Sequence, residues 1–195
     1  MSSHYARKAT GFTLIELAVV MVILVILAMA AQPSLADFFD RYRLRGAGDS
    51  LISLISNARA EAVKTDLDVS VSFTGSGAAW CAGAHQAAPP TGGAAAAAAT
   101  ACDCSNAAST TECRVSGQRA AVETAAYPNV TIGTLPAAFT FNSKMGTIVP
   151  LGTRQLTLTS PKGVYDVNVQ VNALGQPLLC TPNGRPTMAG VPVCP

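Results

Sequence analysis

The feature that most constrains this chain is an uninterrupted apolar run close to its N-terminus. Residues 12–31 read FTLIELAVVMVILVILAMAA, and only Thr13 and Glu16 within them are polar. As an α-helix this run is about 30 Å long, which matches the hydrocarbon core of a bilayer. Arg7 and Lys8 precede it, and basic residues favour the cytoplasmic side of a membrane. We therefore predict a single membrane-spanning helix, with the remainder of the chain exported.

Three explanations compete for the apolar run. A secretory signal peptide would be cut at a small-residue site such as residues 28–30, but the run is longer than a usual signal core and contains Glu16. A plain membrane anchor gains nothing from Glu16, whose carboxylate costs about 1–3 kcal/mol inside the bilayer, depending on its depth. A processing site between Gly11 and Phe12 accounts for the basic leader, the glycine and the glutamate together, since glycine leaves its own carbonyl accessible. We favour this third explanation.

Residues 8–17, KATGFTLIEL, resemble the N-terminus of the type IV pilins and of the pseudopilins of type II secretion. The resemblance implies that a prepilin peptidase cuts between Gly11 and Phe12 and then methylates the new amine of Phe12. It also implies that Glu16 pairs with the terminal amine of its own or a neighbouring subunit, because an unpaired charge in an apolar filament core is very costly. The expected partners are other major and minor pilins, the prepilin peptidase and, before assembly, the inner membrane.

The helix is expected to continue beyond the membrane-spanning part. Small and apolar residues recur at steps of three and four, which defines one helical face: Leu44, Gly48, Leu51, Ile55, Ala58 and Ala62. Pro33 is expected to kink the helix, as a proline does in the pilins, and Gly46 and Gly48 weaken its middle. We predict one helix from Phe12 to about Lys64. Two helices broken near Pro33 or Gly46 are the alternative.

The predicted fold is α+β and pilin-like, with a long N-terminal helix packed on a small antiparallel β-sheet domain. Alternating apolar residues bounded by turn residues mark seven strands: 68–73, 118–122, 130–134, 139–142, 147–149, 154–159 and 164–171. The resulting division is a cleaved leader (1–11), a transmembrane and filament-core helix (12–32), its amphipathic continuation (33–65) and a C-terminal β domain (66–195). Residues 56–63 and 139–147 resemble motifs of the FimT/FimU minor pilins and the GspH pseudopilins.

Residues 75–117 depart from this strand pattern. They hold two adjacent prolines, several glycines and a run of alanines from residue 94 to residue 99. Small residues bury little apolar surface, so the segment offers little to a packed core. We predict a Cys-rich insertion that forms a long exposed loop pinned by disulfides.

The cysteines are even in number and all follow the apolar run: Cys81, Cys102, Cys104, Cys113, Cys180 and Cys194. An exported location favours disulfides. Cys102 and Cys104 are too close for an easy mutual bond, so we expect one of them to pair with Cys81 and the other with Cys113, in either order. A zinc site would need four regularly spaced ligands and is disfavoured outside the cell. The pilin resemblance implies that Cys180 pairs with Cys194.

The sequence contains no recognisable catalytic site. Its two histidines are His4, in the leader, and His85, in the predicted loop, and no phosphate-binding loop, nucleophile triad or metal motif is present. We expect no enzyme activity, cofactor or metal. The 13 basic residues fall to 11 once Arg7 and Lys8 leave with the leader, which equals the 11 acidic residues. A neutral mature chain gives no electrostatic argument for nucleic acid as a partner.

DNA binding can be examined residue by residue, because the resemblance points to a specific segment for it. Some FimT-type pilins bind DNA through a Gly-Arg-x-Arg segment just before a cysteine, and residues 175–180 occupy the matching place. Gln176 and Leu178 stand where the two arginines would be, so the charge-assisted phosphate contacts are missing. Arg185 follows nearby and is the remaining candidate for a DNA contact. We do not expect DNA as a partner.

The function expected from the resemblance is that of a minor type IV pilin at the pilus tip or in the initiation complex, where it promotes assembly. Such a protein spans the inner membrane once and then enters a pilus on the cell surface, with its C-terminal domain periplasmic or extracellular. Two alternatives are a GspH-like minor pseudopilin of a type II secretion system and a FimT-like DNA-binding pilin for natural transformation.

Overall fold

The computed structural model of the chain describes residues 11–89, 99–105 and 112–195. The leader charges Arg7 and Lys8 and most of the alanine run in the predicted insertion lie outside the described residues. The chain divides into two compact units, Met1–Phe39 and Asp40–Pro195, each of which is described by itself. One helix, α1 (Leu14–Thr65), provides residues to both units.

Thr13 caps the start of α1. Its hydroxyl oxygen accepts a hydrogen bond of 3.3 Å from the backbone N–H of Glu16, which satisfies one of the unpaired amides of the first turn. The acidic Glu16 lies in that turn, where a negative charge complements the helix dipole. From Phe12 to Met29 the large apolar side chains of this unit are all exposed.

No single helix in the described part of the chain is long and apolar enough to cross a membrane. The segments Leu14–Ala30 and Ser34–Thr65 meet that criterion only together, as a bent pair. The break between these segments covers residues 31–33 and so includes Pro33, where the sequence predicts a kink because proline removes a backbone donor and clashes one turn back. The helix runs without interruption through Gly46, so the alternative of a break at that residue is wrong.

The second half of α1 is amphipathic, as its periodicity predicts. Its buried residues form one face: Asp40, Leu44, Ala47, Gly48, Leu51, Leu54, Ile55, Ala58 and Ala62. The two glycines allow close packing at this face. A methyl group at Gly48 would lie 2.7 Å from Leu179 Cδ1, and one at Gly46 would lie 3.1 Å from the ring of Tyr127. They therefore bring the sheet domain close to the helix axis, which offsets their low helix propensity.

The described residues of the second unit form eleven strands and a short 3-10 helix, Thr124–Ala126. The strands are β1 (Val69–Ser76), β2 (Ala79–Gln86), β3 (Arg114–Val115), β4 (Gln118–Arg119), β5 (Ala121–Glu123), β6 (Thr131–Ile132), β7 (Phe139–Phe141), β8 (Ile148–Val149), β9 (Arg154–Thr159), β10 (Asp166–Val171) and β11 (Pro177–Cys180).

These strands form three sheets. The first has the order β5-β2-β1-β7-β8, the second the order β11-β10-β9-β6, and β3 pairs only with β4. All these strand pairings are antiparallel. The fold class predicted from the sequence, a long helix followed by small antiparallel sheets, is confirmed.

The core combines the buried helix face with the inward residues of both sheets. Phe139 and Phe141 are almost completely buried, and their rings meet edge to face with centroids 5.5 Å apart. Trp80 is buried as well, and its indole N–H donates to the carbonyl of Val130 at 2.9 Å. The two phenylalanines of the motif noted at residues 139–147 therefore serve packing.

The prediction that residues 75–117 form a long exposed loop is wrong for much of its described part. Strand β2 falls inside that range and pairs with β1 along eight residues, from Ala79 to Gln86. Its centre is buried between β1 and β5. The pattern fails because alanine and glycine have low strand propensity, whereas here their small size is what the packing requires.

Strand β11 is also absent from the sequence prediction. It pairs with β10 from Pro177 opposite Val171 to Cys180 opposite Asn168. Four residues that begin with proline carry little strand pattern, but β11 lies at the edge of its sheet, where proline is tolerated. The predicted strand 118–122 divides into β4 and β5, and the predicted strand 164–171 begins at Asp166.

Candidate functional site

The predicted processing segment precedes the helix. Gly11 has no atom within 4 Å of the position a Cβ would take, and the side chain of Phe12 is 85% exposed. Helical structure begins only at Leu14, so the Gly11–Phe12 bond lies in non-helical backbone. The predicted cleavage site therefore lies just ahead of the helix, outside its hydrogen-bonded turns.

Glu16 lies in the first turn of the helix and is exposed. Within residues 11–89, 99–105 and 112–195, its carboxylate takes part in no hydrogen bond or ion pair. Its apolar neighbours Ile15 and Leu17 are exposed too, at 73% and 61%. A carboxylate amid apolar surface requires a cation if that surface is covered by lipid or protein.

Four cysteines meet in a second buried cluster beside strand β2. Cys81 is bonded to Cys104, and Cys102 is bonded to Cys113. All four are at most 5% exposed. Cys102 and Cys104, although only two positions apart, therefore bond to different parts of the fold. Cys104 bonds to strand β2, and Cys102 bonds to the segment just before β3.

Hydroxyl groups of β1 contact these sulfurs. The Oγ1 of Thr74 lies 3.0 Å from the sulfur of Cys81 and 3.3 Å from that of Cys104. Ser72 donates from its hydroxyl to the carbonyl of Cys102 at 3.2 Å and accepts from the backbone N–H of Cys102 at 3.3 Å. The strand that precedes the first cysteine therefore fixes the position of both bonds.

A buried carboxylate supports the same region. Glu112 is 8% exposed and receives Arg114 Nε at 2.8 Å and Arg114 Nη2 at 2.7 Å. Arg119 Nε lies 3.6 Å from its other oxygen. Arg119 also pairs with Glu123 and donates to the carbonyl of Cys104 at 3.2 Å. This network ties β3, β4 and β5 to the disulfide cluster.

The C-terminal segment is closed by the third disulfide, between Cys180 at the end of β11 and Cys194. The backbone N–H of Thr181 donates to the carbonyl of Pro192, and that of Cys194 donates to the carbonyl of Thr181. Gly175, at the start of the segment compared with DNA-binding pilins, has a positive φ of 78°. A Cβ there would lie 2.7 Å from the ring of Phe141, so this glycine is explained by packing.

Arg185 forms an ion pair with Asp166, and its guanidinium also donates to the carbonyl of Gly163 at 3.4 Å. The bond to Asp166 and the charge of that carboxylate raise the pKa of Arg185 above its usual value. The arginine stays protonated, but its charge is neutralised within the chain. It is poorly suited to a phosphate contact.

Sequence reasoning missed the groups that surround the disulfides. Ser72 and Thr74 alternate with apolar residues in β1, which suggested a solvated face, whereas Ser72 is 3% exposed. Glu112 directly precedes Cys113 and lies two residues before Arg114, but that spacing has no specific meaning without the fold. The described residues contain no group of three or more histidine, cysteine or acidic residues that could hold a metal ion.

Comparison with known proteins agrees with this architecture. The family model described as Type II transport protein GspH matches residues 47–175, which is more than half of the chain. The model of the prokaryotic N-terminal methylation motif matches residues 6–31. None of the curated proteins matches the chain.

Among solved structures, the chain is similar to the type IV minor pilin FimU of Pseudomonas aeruginosa strain PAO1, with a TM-score of 0.45 and 17% identity. The match covers 73% of this chain and 91% of that one. The extent of the family match decides the assignment, since it includes the amphipathic helix and most of the sheet domain. The chain belongs to the GspH family of type IV minor pilins and pseudopilins.

Proposed function

We propose that this chain is a minor subunit of a type IV pilus that is cut after Gly11, methylated on Phe12 and incorporated at the tip or in the initiation complex to promote assembly. The observation that carries this proposal is the methylation motif at residues 6–31 joined to a helix whose apolar side chains are exposed. Before assembly the inner membrane covers this surface, and afterwards the helices of other pilins cover it. Structural proteins of this kind need no catalytic site, and we propose none.

The exposed apolar surface supports the proposed passage from the inner membrane into a filament. The large apolar side chains from Phe12 to Met29 are exposed, and soluble chains rarely expose so large an apolar surface. Lipid and packed helices are the two environments that cover such a surface. Glu16 then needs a cation, and the amine that cleavage creates at Phe12 supplies one.

The incorporation of a Glu16→Gln variant into sheared filaments tests the proposal. Glutamine keeps the shape of the side chain and removes its charge, so we expect incorporation to fall by about tenfold or more, the effect of losing about 1.4 kcal/mol. The membrane-bound amount should stay unchanged. Asp49→Asn is the matched control, because Asp49 is an exposed carboxylate of the same helix that pairs only within the chain, with Arg45 at 3.7 Å. Equal incorporation of both variants would refute the role of Glu16.

A pseudopilin of type II secretion is the second candidate, because the matching family model carries the description of a type II transport protein. Both candidates share the processing and the fold, so a null strain separates them. Loss of surface pili with normal protein secretion supports the pilus. Loss of secreted enzymes with normal pili supports the pseudopilin.

A further inference from the structure

The two disulfides in the four-cysteine cluster beside β2 are crossed along the chain. Cys81 bonds to Cys104 across 23 residues, and Cys102, which lies between them, bonds to Cys113 across 11. By contrast, Cys180 and Cys194 are neighbours among the cysteines. One chain thus contains a pair of interlaced disulfides and one simple disulfide.

Chain geometry alone does not select the crossed pairing. The consecutive pairing, Cys81 with Cys102 and Cys104 with Cys113, would close loops only two residues shorter than those observed. The cost of loop closure rises slowly with loop length, so the two pairings are almost equally accessible to an unfolded chain. When Cys81 is oxidised before the sheet has formed, it therefore meets Cys102 about as often as Cys104.

The folded sheet does select the crossed pairing. The Oγ1 of Thr74 contacts the bonded sulfurs of Cys81 and Cys104 at 3.0 and 3.3 Å, and the hydroxyl of Ser72 bonds to both the carbonyl and the N–H of Cys102. The sulfur of Cys113 occupies the space above Gly83, where even a methyl group would come within 2.1 Å. These contacts exist only once β1 and β2 are paired, so a chain that is oxidised before that point lacks them.

We infer that this chain is a substrate of a thiol–disulfide isomerase, which converts the consecutive pairing into the crossed one before the sheet domain closes. The inference rests on the export that accompanies the proposed function, since the cysteines must enter an oxidising compartment. The partner is identified by its chemistry: a protein with a reactive thiolate that attacks disulfides and is regenerated. The crossed cysteines are at most 5% exposed, so the enzyme acts before packing is complete.

The exchange balances without any net oxidant. The isomerase thiolate attacks Cys81 of the Cys81–Cys102 bond, which forms a mixed disulfide and releases the Cys102 thiolate. That thiolate attacks Cys113 of the Cys104–Cys113 bond, which forms Cys102–Cys113 and releases the Cys104 thiolate. The Cys104 thiolate attacks Cys81 in the mixed disulfide, which forms Cys81–Cys104 and returns the isomerase thiolate. Three bonds break, three form, and no electrons are gained or lost.

The test produces the full chain in cells with and without a periplasmic disulfide isomerase, and maps the bonds by mass spectrometry of unreduced peptides. Without the isomerase, we expect about half of the molecules to carry Cys81–Cys102, because the two loops are equally easy to close. With it, nearly all should carry Cys81–Cys104. The Cys180–Cys194 bond is the internal control and should form equally in both strains.

A double variant, Cys102→Ser with Cys113→Ser, separates isomerisation from general folding failure. It leaves Cys81 and Cys104 as neighbours among the cysteines, so its bond pattern should no longer depend on the isomerase. Acid quenching and alkylation during oxidative folding should recover a mixed disulfide of the isomerase with the wild-type chain and not with this variant.

The outcomes distinguish the inference from the proposed function. If the Cys180–Cys194 bond also fails to form, the domain is not exported and the proposed function fails. If that bond forms but the crossed pairing is equally complete in both strains, the isomerase inference is wrong and the proposed function stands.

Discussion

Gly83 lies directly against the sulfur of Cys113, so closely that a methyl group at Gly83 would be 2.1 Å from that sulfur. The same methyl would be 3.0 Å from Cys104 Cβ. No side chain fits between strand β2 and the two disulfides, because the sulfur is fixed by its bond and cannot swing away. We predict that Gly83→Ala lowers the free energy of unfolding by about 1–3 kcal/mol, the usual effect of overpacking a core.

Chemical denaturation of the detergent-solubilised chain measures this change. Gly133→Ala is the matched control, since a methyl group there meets only ordinary contacts at 3.6 Å or more. We expect that control to stay within about 0.5 kcal/mol of the wild type. Equal stability of the two variants would mean that the cluster adapts freely and that Gly83 is not required.

Glu112 should contribute more to stability than the exposed acidic residues do. Its carboxylate is 8% exposed and joins Arg114 to Arg119. Removing it in Glu112→Ala leaves Arg114 without its anion and Arg119 with Glu123 alone, and we expect a loss of about 1–3 kcal/mol in the free energy of unfolding. Lys64→Ala, which breaks the exposed pair between Lys64 and Glu61, should cost less than about 1 kcal/mol. A smaller loss for Glu112 than for Lys64 would contradict this account.

The pKa of Glu61 should respond to Ser116. The hydroxyl of Ser116 donates to Glu61 at 2.7 Å, and together with the hydrogen bond and charge of Lys64 it lowers the pKa of that carboxyl. A depressed pKa in the folded state gives stability that is present above the unfolded pKa and is lost as the pH falls through the folded one. Ser116→Ala should therefore raise the pKa of Glu61 towards its ordinary value, as followed by NMR titration of the side-chain carboxyl carbon.

Lys144→Ala is the control for that titration, because Lys144 pairs with Asp66 and should leave Glu61 unaffected. A Glu61 titration that is the same in Ser116→Ala and in the wild type would show that the hydrogen bond is not present in solution.

Arg185 should not support DNA binding. Its guanidinium pairs with Asp166 and Gly163, and Gln176 and Leu178 stand where related DNA-binding pilins have arginines. In a gel-shift assay at low salt we expect no retained DNA at micromolar protein, and no difference between the wild type and Arg185→Ala. A shift by the wild type that Arg185→Ala abolishes would restore the DNA-receptor function.

The sequence predicts those parts of the fold that a periodic pattern determines. The buried face of α1 follows from the spacing of Leu44, Leu51 and Ile55, and β9 follows from its strict alternation. Strand β2 could not be found in this way, because a strand of alanine, glycine and cysteine has no apolar alternation. Its burial depends on the disulfides above Gly83, which are long-range contacts.

Some residues of the candidate site could likewise be predicted from the sequence, and others could not. The proposed processing signal could be recognised in the sequence, because it depends on which residues follow one another along the chain: Gly11, Phe12 and Glu16. The partners of Cys102 and Cys104 could not, because two cysteines separated by one residue have equivalent reach, and only Ser72 and Thr74 on the folded β1 distinguish them. The hydrogen bond from the Glu16 amide to the Thr13 hydroxyl is an intermediate case. It joins residues only three positions apart, but it is seen only in the structure.

The most direct test of the central claim is the mass of the mature N-terminal peptide from the membrane or filament fraction. We predict a chain that begins at Phe12 and carries one methyl group on its terminal amine, with residues 1–11 absent. The Gly11→Val variant should retain the leader, because its side chain obstructs the carbonyl at the cleavage site. A wild-type chain that retains Met1, or one cut near residues 28–30, would contradict the assignment of a processed filament subunit.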